Sequence, residues 1–217
     1  MNDSALSRLR RLRLIPVIVI DDPERAVPLA RALEAGGVPC AEITFRTPGA
    51  LESLRRISAE CPDVLVGAGT VLNAKQAASA RSAGAKFMVA PGFGPAVVDY
   101  CLEHDVAVFP GVATPTEVEA AIAKGLSVMK FFPAETLGGL PYLKAMSAPY
   151  GPGIEFNPSG GITPANLGEY LSFSKVVACG STWIAPPELI AGGQFDQIRD
   201  EAARAVALVS ASHRAAG

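Results

Sequence analysis

The chain has 217 residues, 49% of them apolar, with 19 lysines and arginines against 21 aspartates and glutamates and a formal charge of -2. That length suits one large domain with a substantial core, and the balanced charge leaves no basic footprint for nucleic acid. No apolar stretch approaches the ~20 residues of a membrane-spanning helix, so neither nucleic acid nor a bilayer is expected as a partner. Four scattered cysteines, Cys40, Cys61, Cys101 and Cys179, show no CxxC spacing. With no secretory signal they read as reduced thiols of a cytoplasmic protein. The two histidines, His104 and His213, fall on helical segments away from any strand end. A metal site would lack its commonest ligand, and no metal is expected.

Residues 1–13 interleave arginine with leucine, as a short amphipathic helix does. Ile15-Pro16-Val17-Ile18-Val19-Ile20 is a continuous apolar run, the mark of a strand buried on both faces. Asp22-Pro23-Glu24 then opens a helix that runs to the glycine stop at Gly36-Gly37. The unit repeats. Strands are expected at 40–45, 64–70, 86–90, 106–112, 127–133, 154–158 and 176–179. Helices are expected from Thr47-Pro48 to Glu60, from Asn73 to Gly84, over 95–103, from Thr114-Pro115 to Lys124-Gly125, over 140–146, from Thr163-Pro164, and over 196–210. Eight strand–helix units over 14–211, with a short tail over 212–217, predict a single-domain α/β fold: a (β/α)8 barrel behind a short N-terminal helix. A doubly wound sheet would want a glycine fingerprint after the first strand, and Ile20-Asp21-Asp22-Pro23 is not one.

Barrel active sites lie at the C-terminal ends of the strands, and that rule sorts the lysines. Lys86 stands at the very start of its strand and Lys175 precedes its own, both at the stability end, and Lys75, Lys124 and Lys144 lie within or at the ends of helices. Only Lys130, in Ser127-Val128-Met129-Lys130-Phe131-Phe132-Pro133, is inside a strand. Apolar walls there favour the neutral amine, a nucleophile that forms imines with carbonyl carbons. Strand alternation puts Val128, Lys130 and Phe132 on one face. On strand two, Glu42, Thr44 and Arg46 share a face, offering a proton shuttle and a fork for a carboxylate beside that amine. A purely structural Glu42–Arg46 ion pair is the plain alternative. Gly67-Ala68-Gly69-Thr70 and Ala90-Pro91-Gly92-Phe93 end strands three and four with small residues and one hydroxyl. Strands seven and eight end in Ser159-Gly160-Gly161 and Gly180-Ser181-Thr182, where many barrels build a phosphate site from main-chain N–H groups. A 2-keto acid with a distal phosphate uses all four features: Lys130 attacks the keto carbon, the iminium draws electrons, and the C3–C4 bond breaks to leave pyruvate. No cofactor is expected, because the lysine supplies the electron sink.

Glu42-Ile43-Thr44-Phe45-Arg46-Thr47, Gly67-Ala68-Gly69-Thr70-Val71, Lys130-Phe131-Phe132-Pro133-Ala134-Glu135, Pro158-Ser159-Gly160-Gly161-Ile162 and Gly180-Ser181-Thr182-Trp183 together resemble the 2-keto-3-deoxy-6-phosphogluconate (KDPG) aldolases. These are bacterial class I aldolases, lyases of the Entner–Doudoroff pathway, that often also act on 4-hydroxy-2-oxoglutarate. The resemblance covers about residues 15–207. It implies that Lys130 is the Schiff-base lysine, Glu42 the acid and base, and Arg46 the ligand of the pyruvate carboxylate. It further implies that Thr70, Pro91, Phe132 and Ser159 line the pyruvate pocket, that Gly160, Gly161, Ser181 and Thr182 face the phosphate, and that the enzyme is a homotrimer. Two departures bear on the aldehyde half: Pro158-Ser159-Gly160-Gly161 where relatives commonly have Pro-Thr-Gly-Gly, and Gly180-Ser181-Thr182-Trp183 where they often have Gly-Gly-Ser-Trp. Alternatives are an aldolase for the galactonate epimer, a sugar-phosphate epimerase or isomerase that uses Glu42 for proton transfer, a metal-dependent aldolase, and a silent binder of anionic metabolites.

Overall fold

The computed structural model describes residues 4–215; residues 1–3 of the expected first helix and 216–217 of the expected tail lie outside them. Helix α1 (Ala5–Leu12) starts at Ser4, whose side chain accepts the Ser7 N–H, and stops at Arg13 in the left-handed region. The chain then alternates: β1 (Leu14–Ile18), a 3-10 turn (Pro23–Arg25) leading into α2 (Ala26–Ala35), β2 (Cys40–Thr44), α3 (Ala50–Glu60), β3 (Leu65–Gly69), α4 (Ala74–Ser82), β4 (Phe87–Val89) and α5 (Pro95–Glu103). It continues with β5 (Ala107–Phe109), β6 (Gly111–Val112), α6 (Pro115–Ala123), β7 (Val128–Phe131), α7 (Gly139–Ser147), β8 (Glu155–Pro158), α8 (Leu167–Ser172), β9 (Cys179–Ser181), α9 (Pro187–Ala191) and α10 (Phe195–Ala215). The helix starts follow their caps. Asn73 accepts the Gln76 N–H at α4, and Thr114 with Glu117 forms a capping box behind Pro115 at α6.

All strand pairs are parallel, in a six-stranded sheet ordered β5-β4-β3-β2-β1-β9 and a three-stranded sheet ordered β6-β7-β8. The result is an α/β fold with a curled parallel sheet and helices outside. The expected fifth strand, 106–112, is split at Pro110, which has no N–H to give the ladder. Its first half pairs with β4 and its second with β7. On the other side, isolated parallel bridges join Phe156 to Val176 and Ser159 to Gly180. The expected helix from Thr163-Pro164 contracts to α8 behind a turn, while the last helix extends beyond 196–210 into the expected tail.

Strand alternation sorts the buried residues into two bodies. Ile18, Ile43, Val66, Met88, Met129, Phe131 and Phe156 face outward into one core with Leu29, Leu33, Leu54, Ile57 and Ile198 of the helices. Ile15, Cys40, Leu65, Phe87, Val89, Phe109 and Val128 face inward and meet Leu9 of α1. Each such aliphatic or aromatic side chain contributes about 1.5–3 kcal/mol on burial. Around that end of the sheet the Arg13 guanidinium donates to the Leu171 and Val176 carbonyls at 2.6 and 2.8 Å, and Arg10 pairs with Glu155. The inward apolar layer is thus closed at the N-terminal end of the strands and gives way to polar residues toward the C-terminal end.

Candidate active site

Lys130 follows Val128 on the inward face of β7, two residues nearer the C-terminal end, and is only 4% exposed. Glu42 holds the matching place on β2, where it pairs with Val17 of β1 and Gly67 of β3, and is 0% exposed. Lys130 Nζ lies 3.7 Å from Glu42 Oε1 and 5.0 Å from the centre of the Phe132 ring. Neither carboxylate oxygen has a hydrogen-bond partner among the described residues. Each is thus the other's ion-pair partner inside an otherwise apolar layer. Room for the carboxylate comes from Gly69: a Cβ there would stand 2.2 Å from Oε1 and 2.7 Å from Cγ.

Arg46, just beyond β2, donates from Nε to Thr70 Oγ1 at 3.2 Å. Thr70 is held at φ 56°, a costly conformation for a β-branched residue, of order 1–3 kcal/mol. That strained backbone delivers the hydroxyl to the guanidinium. A cavity of about 200 Å³ opens over these groups, lined by Arg46, Lys130, Phe132, Ser159, Gly160, Gly161, Gly180 and Thr182, with Val17 and Ile162. Gly180 is tightly fitted to Ser159, whose Oγ would lie 1.8 Å from a Cβ at Gly180. Larger cavities exist, including one of about 720 Å³ between α1 and the opposite ends of the strands, but among the described residues the buried amine of Lys130 and the Arg46 guanidinium line this one together.

Most of the expected site residues therefore converge; Glu42 and Thr70 do not line the cavity themselves and reach it through Lys130 and Arg46. Pro91, beyond β4, is half-buried and does not line this cavity. Ser181 pairs with Pro16 in the ladder, which turns its buried side chain to the face opposite Gly180. Sequence reasoning missed Asn157, the ladder partner of Lys130, which is buried inside and donates from Nδ2 to the Ala178 carbonyl at 2.8 Å. A second polar residue in the strand, two places after Glu155 and so on the same face, was its only signal. The thiols are not rival nucleophiles: all four are buried, and burial pushes Cys101 up to about 11 and Cys179 up to about 12. Among the described residues, no group of three or more His, Cys, Asp or Glu side chains is arranged to hold a metal ion.

Residues 6–200 match the sequence family described as KDPG and KHG aldolase. The chain is 51% identical over 190 residues to a 2-dehydro-3-deoxy-phosphogluconate aldolase of Treponema pallidum (strain Nichols), covering 88% of this chain and 90% of the relative. It is 40% identical over 203 residues to the KHG/KDPG aldolase of Escherichia coli (strain K12), covering 94% and 95%. Among solved structures, it is similar to KDPG aldolase from Legionella pneumophila with pyruvate captured at low pH as a covalent carbinolamine intermediate. The TM-score is 0.89 and the identity 36%, over 94% of this chain and 99% of that one.

Proposed function

The chain belongs to the KDPG and KHG aldolase family, and on that premise we propose how its residues divide the work of a class I aldolase. The reaction splits 2-keto-3-deoxy-6-phosphogluconate reversibly into pyruvate and glyceraldehyde 3-phosphate, and 4-hydroxy-2-oxoglutarate into pyruvate and glyoxylate. The observation that carries the reading is the buried Lys130 lining a cavity with Arg46, with Glu42 3.7 Å behind its amine.

Glu42 takes a proton from Lys130, and the freed amine attacks the keto carbon C2. The hydroxyl of the resulting carbinolamine leaves as water when Glu42 returns a proton to its oxygen, giving an iminium conjugated to the bond that will break. Glu42, again a carboxylate, takes the C4 hydroxyl proton as C3–C4 cleaves, with the electron pair moving through C3 into the iminium nitrogen. The aldehyde departs, Glu42 returns that proton to C3 of the enamine, and water hydrolyses the iminium to release pyruvate and free Lys130. Arg46, oriented by Thr70, grips the substrate carboxylate with its remaining N–H groups. Phe132 supplies an apolar wall beside the iminium, and Ser159 offers a hydroxyl to the pyruvate half. At the other end, Gly160, Gly161, Gly180 and Thr182 receive the phosphate, while Ser181 and Pro91 support their loops from outside the cavity.

Three broader features belong to the same proposal. The two sheets close into a full (β/α)8 barrel, supported by the run through Pro110 and the two bridges between β8 and the β9 segment. Residues 14–211 act as one domain that works in the cytoplasm. The protein assembles as a homotrimer, as its family resemblance implies, which light scattering coupled to gel filtration measures.

Borohydride reduction in the presence of pyruvate tests the chemistry. A stable pyruvyl adduct located on Lys130 by mass spectrometry is the expected result, and its absence would reject the imine mechanism. A panel of KDPG, its galactonate epimer and 4-hydroxy-2-oxoglutarate ranks the substrates.

A further inference from the structure

The loop read above as the phosphate cradle is bound, rung by rung, to the continuation of the lysine strand. The Ser159 N–H donates to the Phe131 carbonyl at 2.9 Å. The Ala134 and Glu135 N–H groups donate in return to the Ser159 and Gly160 carbonyls at 2.8 and 3.0 Å. Gly160 and Gly161 adopt φ of +92° and +85°, which lets the loop lie flat on that segment. A Cβ on Gly161 would stand 2.5 Å from Glu135 Cγ, and one on Gly160 would meet the Phe132 ring at 3.2 Å.

Glu135 is therefore an exposed acid whose stem lies against a loop assigned to a phosphate dianion, an unfavourable pairing if its carboxylate were free to approach. It is held elsewhere. The Tyr170 hydroxyl, on α8, donates to Glu135 Oε1 at 2.5 Å, and Tyr170 is only 1% exposed. Gly139 borders the pair: a Cβ there would lie 3.1 Å from Oε1 and 3.4 Å from the Tyr170 oxygen. Burial first, and the Glu135 hydrogen bond second, push the Tyr170 phenol above its ordinary range, so it remains a donor at neutral pH.

We propose that Tyr170 and Glu135 are a positioning pair that sets the Gly160–Gly161 loop relative to Lys130 and holds the Glu135 carboxylate off the phosphate. The pair is thereby a specificity element for phosphorylated over unphosphorylated 2-keto acids. This rests on the reading of that loop as the cradle, which has its own check: inorganic phosphate should compete with KDPG in the native enzyme.

The experiment compares Tyr170→Phe with the double variant Tyr170→Phe/Glu135→Gln. Tyr170→Phe should raise KM for KDPG by about tenfold while leaving kcat/KM for 4-hydroxy-2-oxoglutarate within about twofold. Borohydride trapping of pyruvate on Lys130 should be unchanged. The double variant should recover most of the lost KM, because a neutral amide does not repel phosphate. Equal losses on both substrates, or a double variant no better than the single one, would overturn the pair's role. Failure of inorganic phosphate to compete, with trapping intact, would instead reject the cradle.

Discussion

Gly69→Ala is the sharpest test of the acid–base assignment, because it moves Glu42 without touching its chemistry. The added Cβ would lie 2.2 Å from Oε1, 2.7 Å from Cγ and 2.8 Å from Cδ. Normal contact requires the carboxylate to retreat by roughly an ångström, and a displacement of that size costs on the order of 100-fold in rate. Glu42 is wholly buried, so the retreat cannot be a harmless swing into solvent. Gly67→Ala supplies the control. Its Cβ would strike the Phe87 ring at 2.4 Å, two residues farther from the cavity mouth, so it carries a comparable overpacking cost of about 1–3 kcal/mol. Pyruvate release is followed through a coupled lactate dehydrogenase assay, and stability through thermal melting. The expected result is a similar loss of stability in both variants but a collapse of kcat, on the order of 100-fold, in Gly69→Ala alone. If Gly69→Ala retained kcat within about threefold of native, the carboxylate's location would not matter and Glu42 could not be the proton shuttle.

Arg46→Lys replaces a two-pronged donor with a point charge and deletes the Nε–Thr70 bond; KM for the keto acid should rise by about 10–100-fold with a smaller change in kcat, read from steady-state kinetics. Exhaustive chelation should leave the rate unchanged, whereas loss of activity restored by a divalent ion would replace the imine mechanism with a metal-dependent one. Leu9→Ala should cost about 2–5 kcal/mol in urea unfolding, because Leu9 fills the inward apolar layer, while leaving KM unaltered.

The candidate centre was legible because it violates expectation. A lysine inside an apolar strand and a glutamate inside another are both expensive, and the period of two put each on the face that proves to be inward. Val17 could not be picked out, because strands buried on both faces read as uniform apolar runs with no mark of which side holds the cavity, and Ile162 is a lone apolar residue in the loop after β8. Ser181 illustrates the limit of motif reading. Its hydroxyl stands between two cavity-lining residues, yet the ladder with Pro16 turns it outward. Pro110 was visible from the start, but that the strand changes partners there, from β4 to β7, depends on long-range closure that no local pattern encodes. The Tyr170–Glu135 contact joins residues 35 apart and left no trace in spacing.

Helix α1, with Leu9 inserted and Arg13 tied to two carbonyls, has a consequence for isotope traffic. It covers the foot of the inward apolar layer, so the mouth of the cavity over Lys130 serves as a doorway that protons from the medium share with the reactants. Deuterium from solvent should therefore enter the methyl group of pyruvate readily while that doorway stands empty. A phosphorylated aldehyde lodged in it would act as a cork and slow the wash-in, even before any carbon–carbon bond is made.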